Sequence, residues 1–185
     1  MDVYSKNIIA HFNECMSSMI RSRQALTTPI KTTVTLIVSQ LLRNKNSKLI
    51  CITDPKFNFL GDHLYASLST LNERVLLLKN HNLDNNLNKN DIVFYICDNS
   101  TPETFFAKQS ISAENNYIIF LRKKNTLHDR SNTSIKSNYS EILVPVTKTD
   151  RASENYLLII NIMTDFIAKS LLITHKEKHE ESLFS

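Results

Sequence analysis

The segment DIVFYIC (91–97) constrains the fold of this chain more than any other stretch. It is apolar at every position after the first and rich in β-branched and aromatic residues, which is typical of a strand buried on both faces. Shorter runs of the same kind occur at 48–53, 74–79, 116–121 and 141–146, separated by helical or polar segments. Strands that alternate with helices predict a parallel sheet covered on both faces.

The segments between these runs predict the helices of an α/β domain. Two of them, within residues 2–44, would form an N-terminal helical pair, the second beginning near the TTP signal at 27–29. Apolar spacing predicts further helices at 59–70, 102–113 and 150–172. We therefore expect a three-layer sandwich, a five-stranded parallel sheet flanked by helices, as one domain over 1–172. A charged tail, 173–185, would follow it.

Glycine is nearly absent, and this excludes two classes of nucleotide site. The chain has one glycine, Gly61, where average usage of about 7% would give roughly thirteen. Rossmann fingerprints and P-loops both need several glycines for close backbone approach to phosphate. This chain therefore has neither motif.

The distribution of charge does not predict a nucleic-acid surface. The net charge is +4, but the cations are scattered, apart from RNKNSK near Arg43 and RKK from Arg122. A nucleic-acid surface usually shows a denser basic patch with interleaved aromatic residues. We expect a solvated positive surface and no direct contact with DNA or RNA.

Cysteine usage and hydropathy indicate a cytoplasmic protein. Cys15, Cys51 and Cys97 lie in apolar segments without metal-ligand spacing, so they are interpreted as reduced core thiols. No apolar run approaches the roughly 20 residues that span a bilayer. The N-terminus lacks a signal-peptide pattern. We expect no membrane association.

Two loops are the candidate site, because ligands of parallel sheets bind at the carboxyl ends of strands. The loop 53–58 contributes Asp54 and Phe57, and the loop 97–102 contributes a second group of polar residues: Asp98, Ser100 and Thr101. Thr101 is also explained as the N-cap of the helix that follows, without any ligand.

The order of elements and several motifs resemble the SIS (sugar isomerase) domain family, in particular its subgroup of phosphoheptose isomerases and DnaA initiator-associating proteins. HFNEC (11–15) resembles a patch in the first helix of that subgroup. KLICIT (48–53) resembles its first strand, and His63-Leu64-Tyr65-Ala66-Ser67 its following helix. Arg151-Ala152-Ser153-Glu154 resembles the start of its last helix.

The resemblance implies a sugar-phosphate cleft whose binding residues have been replaced. The glycine-rich turn of the family falls on Thr53-Asp54-Pro55, and its phosphate-binding serine falls on Phe57. Asp54 and Asp98 would lie where the anion binds. Like charges in a partly dry cleft repel by several kcal/mol at an effective dielectric of about 20, so sugar-phosphate binding is doubtful.

The resemblance also implies that the acid and base of the isomerases are missing. Their positions are Ser67 and Asn161, neither of which transfers protons near neutral pH. Of the implied zinc positions, His63 is a possible ligand and Ser153 is not, so no metal or cofactor is expected. Glu154 keeps its family position, although an acid in the first turn of a helix is also explained by the macrodipole.

The initiator-associating branch carries serine and asparagine at positions 67 and 161, as this chain does. The resemblance therefore implies a non-catalytic homotetramer that acts as a scaffold for the replication initiator DnaA. An exposed apolar pair just past the last helix, Leu171-Leu172, would contact the partner; alternatively both leucines belong to the core. The other hypotheses are a sedoheptulose 7-phosphate isomerase and a phosphosugar-binding protein.

Overall fold

The computed structural model describes residues 26–70, 72–78, 87–98, 100–109, 116–123, 139–144 and 152–183. The predicted helix 2–25 lies outside these residues. A first helix, α1, covers residues 26–43. The elements after it are β1 (Leu49–Thr53), a 3₁₀ turn (Pro55–Phe57), α2 (Asn58–Ser69), β2 (Val75–Leu78), β3 (Ile92–Ile96), α3 (Pro102–Gln109), β4 (Tyr117–Lys123), β5 (Tyr139–Val144) and α4 (Ala152–Leu183).

The five strands form one parallel sheet, which confirms the predicted fold class. Their order is β2-β1-β3-β4-β5. The central strand β3 pairs with β1 through Ile92 and Leu49, and with β4 through Ile92 and Tyr117. All five residues of β3 are buried, as its apolar composition predicts.

Alternate residues of the strands enter two hydrophobic cores, one on each face of the sheet. Leu49 and Cys51 face the larger core, which they share with α1, α2 and α4. Ile50 and Ile52 face the smaller core, which they share with Phe105 of α3. This alternation follows from the two-residue period of a strand, and it produces the three layers.

Gly61 is required where α2 crosses the sheet. A Cβ atom at this position would lie 2.6 Å from Cγ2 of Thr53 and 3.0 Å from Cδ1 of Leu77. Both distances are shorter than ordinary van der Waals contact, so a side chain there would push the helix from β1. The single glycine of the chain therefore serves helix–sheet packing.

Several predicted boundaries were wrong. Leu26 is already helical, so the TTP signal at 27–29 lies inside α1 and does not begin it. The last helix does not end at Leu172 but continues to Leu183, because lysine and glutamate in the charged segment are good helix formers. Residues 122–123 continue β4 beyond the strand predicted at 116–121.

Helix α4 also corrects the hydropathy argument. Among the described residues, Glu154–Leu172 is one helical stretch long and apolar enough to cross a membrane by length and composition, with a mean hydropathy of 1.2. Its residues Tyr156, Ile160 and Met163 are buried in the larger core against the sheet. The packing explains the apolar residues on this face of α4, whereas Phe166 and Leu172 are 55% and 49% exposed.

Candidate functional site

The two predicted site loops lie side by side at the carboxyl edge of the sheet. They follow β1 and β3, which are neighbours in the sheet. The connection from β1 leads outward to β2, whereas β3 leads to β4 on the other side. The cleft therefore lies where the strand order reverses, which is the usual ligand position in an open α/β sheet.

Asp54 directly follows β1 and is a hydrogen-bonded carboxylate between the two loops. Its Oδ1 accepts a hydrogen bond of 2.6 Å from the Tyr95 hydroxyl, and its Oδ2 accepts one of 3.0 Å from the Asp98 backbone N–H. A backbone N–H and a hydroxyl at a strand end are the donors that a bound phosphate would use. The Asp54 carboxylate thus accepts the hydrogen bonds that these donors would otherwise offer to a bound phosphate.

The charge of Asp98 is compensated within the cleft. Its Oδ2 forms an ion pair with Nζ of Lys56, and the same ammonium group lies 4.9 Å from the ring centroid of Phe57. Because Lys56 neutralises Asp98, the expected repulsion of a bound anion comes mainly from Asp54 and not from both carboxylates. Lys56 was not among the predicted site residues.

Phe57 fills the position implied for the phosphate-binding serine. Its ring is 4% exposed and stacks on Tyr156, with ring centroids 4.6 Å apart and planes inclined by 27°. The Tyr156 hydroxyl donates a hydrogen bond of 2.7 Å to the backbone carbonyl of Cys97. The aromatic pair therefore joins both loops to α4 and takes up volume on the cleft floor.

Burial acts on the ionisable groups beneath the cleft. It raises the pKa of Cys51 to about 12, with the Asp62 charge adding to the effect. Burial likewise raises the pKa of Cys97, Tyr95 and Tyr156 above their ordinary ranges. All four groups are held in their neutral forms at neutral pH. Both described cysteines, Cys51 and Cys97, are free and buried, as predicted for core thiols.

Three predicted residues of α2 and α4 meet at the side of the cleft. His63 Nε2 lies 2.6 Å from Asn161 Oδ1, and the Ser67 hydroxyl donates a hydrogen bond of 2.8 Å to the His63 carbonyl one turn earlier. A serine bonded to its own helix and an amide provide no acid–base pair near neutral pH. Within the described ranges, no group of three His, Cys, Asp or Glu side chains could hold a metal ion.

The second loop is organised mainly by its own helix. Thr101 Oγ1 accepts a hydrogen bond of 3.3 Å from the Thr104 N–H, and Thr104 Oγ1 accepts one of 3.0 Å from the Thr101 N–H. This reciprocal pattern is a capping box, and it confirms the N-cap interpretation of Thr101. Ser100 Oγ lies 3.3 Å from the Tyr95 hydroxyl.

The remaining predicted residues lie apart from this network. Glu154 is exposed in the first turn of α4, and the Ser153 side chain lies outside the described residues. The prediction that Leu171 is exposed was wrong, because this residue is 3% exposed and packs in the larger core. Leu172 is 49% exposed. Both residues lie inside α4, because the helix continues beyond them.

Two cleft residues, Tyr95 and Tyr156, were not predicted from the sequence because they lie in apolar segments. Tyr95 was interpreted only as part of the strand 91–97, and Tyr156 only as part of the apolar face of the last helix. Each has a hydroxyl that needs a partner when buried. A tyrosine near the carboxyl end of a strand could have signalled this role.

Comparison with solved structures finds the same fold in phosphoheptose isomerases. No protein-family model and no curated protein matches the sequence. The phosphoheptose isomerase of Neisseria gonorrhoeae superposes with a TM-score of 0.68 at 16% identity, covering 90% of this chain and 100% of that chain. The phosphoheptose isomerase of Francisella tularensis has a TM-score of 0.63 at 19% identity, with 91% and 100% covered.

A third solved structure, from Bacteroides fragilis, is assigned as a phosphosugar isomerase involved in capsule formation; it superposes with a TM-score of 0.60 at 12% identity, covering 91% of this chain and 92% of that chain. At these identities the likeness concerns the path of the backbone and not the side chains of the site. The chain therefore has the same fold as these isomerase structures.

Proposed function

We propose that this chain is a non-catalytic protein of the sugar isomerase fold that acts as a scaffold for the replication initiator DnaA. The proposal that the chain is non-catalytic rests on the Asp54 carboxylate, which accepts hydrogen bonds from the Tyr95 hydroxyl and the Asp98 N–H. A sugar phosphate would have to displace this carboxylate while remaining close to it. Coulomb repulsion and the lost hydrogen bonds both oppose that exchange.

The lack of an acid–base pair supports the same conclusion. Aldose–ketose isomerisation moves protons between neighbouring carbons and oxygens and needs groups that titrate near the working pH. The implied positions hold Ser67, whose hydroxyl is bonded to its own helix, and Asn161, whose amide oxygen faces His63. A histidine facing an amide can orient a ligand, but the amide of Asn161 cannot act as a second proton carrier.

The scaffold part of the proposal follows from the resemblance to initiator-associating proteins. In a homotetramer, several identical sites would bring initiator molecules together through effective concentration, without tight binding at each site. Leu172, which is 49% exposed on α4, remains the candidate contact of the original pair. Leu171 is buried in the core, so it would contribute to the stability of α4 and not to the contact with DnaA.

The test is a calorimetric titration of the purified chain with purified DnaA. Leu172→Ala should weaken binding by about 1–2 kcal/mol if the side chain is an interface anchor. Leu157→Ala is a matched control, because Leu157 is an exposed leucine on the same helix, at 37% exposure. Absence of binding by the intact chain rejects DnaA as the partner; equal binding by both variants rejects the contact at Leu172.

The alternative is a phosphosugar-binding protein or a phosphoheptose isomerase, which the structural neighbours favour. Besides the isomerases, they include the NanR protein of Vibrio vulnificus complexed with ManNAc-6P, at a TM-score of 0.54. A coupled assay with sedoheptulose 7-phosphate should show no turnover, and a thermal-shift titration with the same compound should show no stabilisation. A saturable shift would instead support phosphosugar binding, and turnover would support the isomerase.

A further inference from the structure

A cavity lies at the amino-terminal edge of the sheet, at the opposite end of the strands from the cleft. Its volume is about 760 Å³, and its walls are the end of α1 and the turns that precede β1, β2 and β3. Five cationic residues line it: Arg43, Lys45, Lys48, Arg74 and Lys89. The other lining residues are four asparagines and one serine, so no carboxylate side chain belongs to the described wall.

Buried hydrogen bonds hold the walls of this cavity in place. The Asp91 carboxylate, which is 0% exposed, accepts the N–H of Lys48 and the N–H of Asn88, each at 2.8 Å. The Arg74 guanidinium donates to the carbonyls of Leu41 and Asn44 at 2.6 and 2.8 Å. These contacts fix the turns that carry the exposed lysines, so the positive charges are brought together before any ligand binds.

One residue of the wall is unusual for a purely structural turn. Ser47 is 1% exposed, and its hydroxyl has no hydrogen-bond partner among the described residues. Buried hydroxyls without a partner are uncommon, and a bound water or ion is one explanation for them.

We infer that this cavity binds a small ligand carrying a chain of two or three phosphate groups. Lysine ammonium and asparagine amide groups are donors that suit phosphate oxygens. The volume lies within the range of about 300–1,000 Å³ typical of small-molecule sites. The described wall contains no aromatic side chain, whereas single-stranded nucleic acids are usually bound by stacking on aromatic rings; this favours a small oligophosphate over a polynucleotide.

The helix dipole does not account for the whole cluster. Cations near the end of α1, such as Arg43 and Lys45, would stabilise the negative end of that helix without any ligand. Lys89 lies in the turn before β3, and only the tertiary structure brings it to the same cavity. The distance between these segments along the chain also explains why the sequence showed only scattered charge.

The test is isothermal titration of the full chain with inorganic tripolyphosphate, with ATP in a second titration. The variant Lys45→Ala/Lys89→Ala removes two exposed cations of the cavity and should weaken binding roughly tenfold or more, as expected for charge-assisted hydrogen bonds. The control Lys31→Ala/Lys169→Ala removes two exposed cations elsewhere and should change affinity less than about twofold. Equal affinity for both probes assigns the site to the phosphate chain alone, whereas tighter ATP binding assigns it to a nucleotide.

Three results would overturn the inference. The first is no saturable binding of either probe by the intact chain. The second is an equal loss in the cavity and control variants, which would mean attraction to net charge. The third is that a single-stranded oligonucleotide binds far more tightly than tripolyphosphate and that its affinity falls steeply with salt. This would mean that the cavity belongs to a nucleic-acid surface. Melting curves without ligand verify that both variants are folded.

Discussion

The Tyr95 hydroxyl donates a hydrogen bond of 2.6 Å to the Asp54 carboxylate, across the two strand ends that form the cleft. Burial, followed by this contact with Asp54, raises the pKa of Tyr95, so the tyrosine remains a donor at every physiological pH. The carboxylate is held further by the Asp98 N–H. The Asp54 carboxylate thus accepts the hydrogen bonds of the two donors that this edge of the fold would offer to a ligand.

Replacing Asp54 by alanine should lower stability and improve anion binding together. Removing the carboxylate takes away the Asp54 oxygens that accept hydrogen bonds from the Tyr95 hydroxyl and the Asp98 N–H, at a cost of about 1–3 kcal/mol. The same groups then become available to an anion. Chemical denaturation should show the lower free energy of unfolding, and added phosphate should restore more stability to this variant than to the wild type.

Two variants control for this prediction. Glu73→Gln also removes one negative charge, but from an exposed position in the turn before β2, and it should leave both quantities unchanged. Tyr95→Phe removes the donor and should cost about 1 kcal/mol without improving phosphate binding, because the carboxylate remains. Equal phosphate effects in the Asp54 and Glu73 variants would contradict the assignment of Asp54 to the anion position.

Gly61→Ala should destabilise the protein, although alanine is the better helix former by about 1 kcal/mol. The new Cβ would lie 2.6 Å from Cγ2 of Thr53. Thr53 is stiff at χ1, and its hydroxyl donates a hydrogen bond of 2.7 Å to Asn58, so the methyl group cannot rotate away freely. We expect a loss of about 1–3 kcal/mol by urea denaturation.

The variant Thr53→Ser provides the matched test of this clash. It removes the methyl group and keeps the hydroxyl, so the substitution Gly61→Ala should be much less destabilising in that background. A double-mutant cycle measures the coupling between the two positions. Additive effects would mean that the contact with Leu77, and not the one with Thr53, limits the packing.

The sequence predicted the strands and the position of the cleft because both follow from short-range patterns. The apolar composition of 91–97 identified the central strand, and the polar residues after 53 and 97 identified the loops. It did not predict that Asp54 accepts the hydrogen bonds of the cleft, because Tyr95 is 41 residues away along the chain. Nor did it distinguish Leu171 from Leu172, since the rotation of α4 against the sheet decides which of them is buried.

Leu171 and Leu172 should therefore differ in their effect on stability. Leu171→Ala truncates a side chain that is 3% exposed in the larger core, and such truncations cost about 2–5 kcal/mol. Leu172→Ala truncates a side chain that is 49% exposed and should cost less than about 0.5 kcal/mol. Thermal melts of the two variants check this, and similar losses would mean that both leucines face the core.

Alkaline pH should unfold the protein through its buried neutral groups. Cys51 has an ordinary pKa of 9.0 and a folded pKa of about 12, so between these values the unfolded state loses its proton and the folded state retains it. Stability contributed by this group is complete below pH 9 and is lost as pH rises towards 12. Each such group lowers the free energy of unfolding by about 1.4 kcal/mol per pH unit within its range.

Cys97, Tyr95 and Tyr156 act in the same direction, because burial raises the pKa of each. Urea denaturation at several pH values should give a flat profile from neutral pH to about pH 8 and an increasingly steep fall above pH 9. Cys51→Ala lowers stability at every pH by creating a cavity, but it should also make the alkaline slope shallower, since one titrating group is gone. The slope, unlike the absolute stability, reports the titration alone, and an unchanged slope in this variant would show that Cys51 does not keep its proton in the folded state.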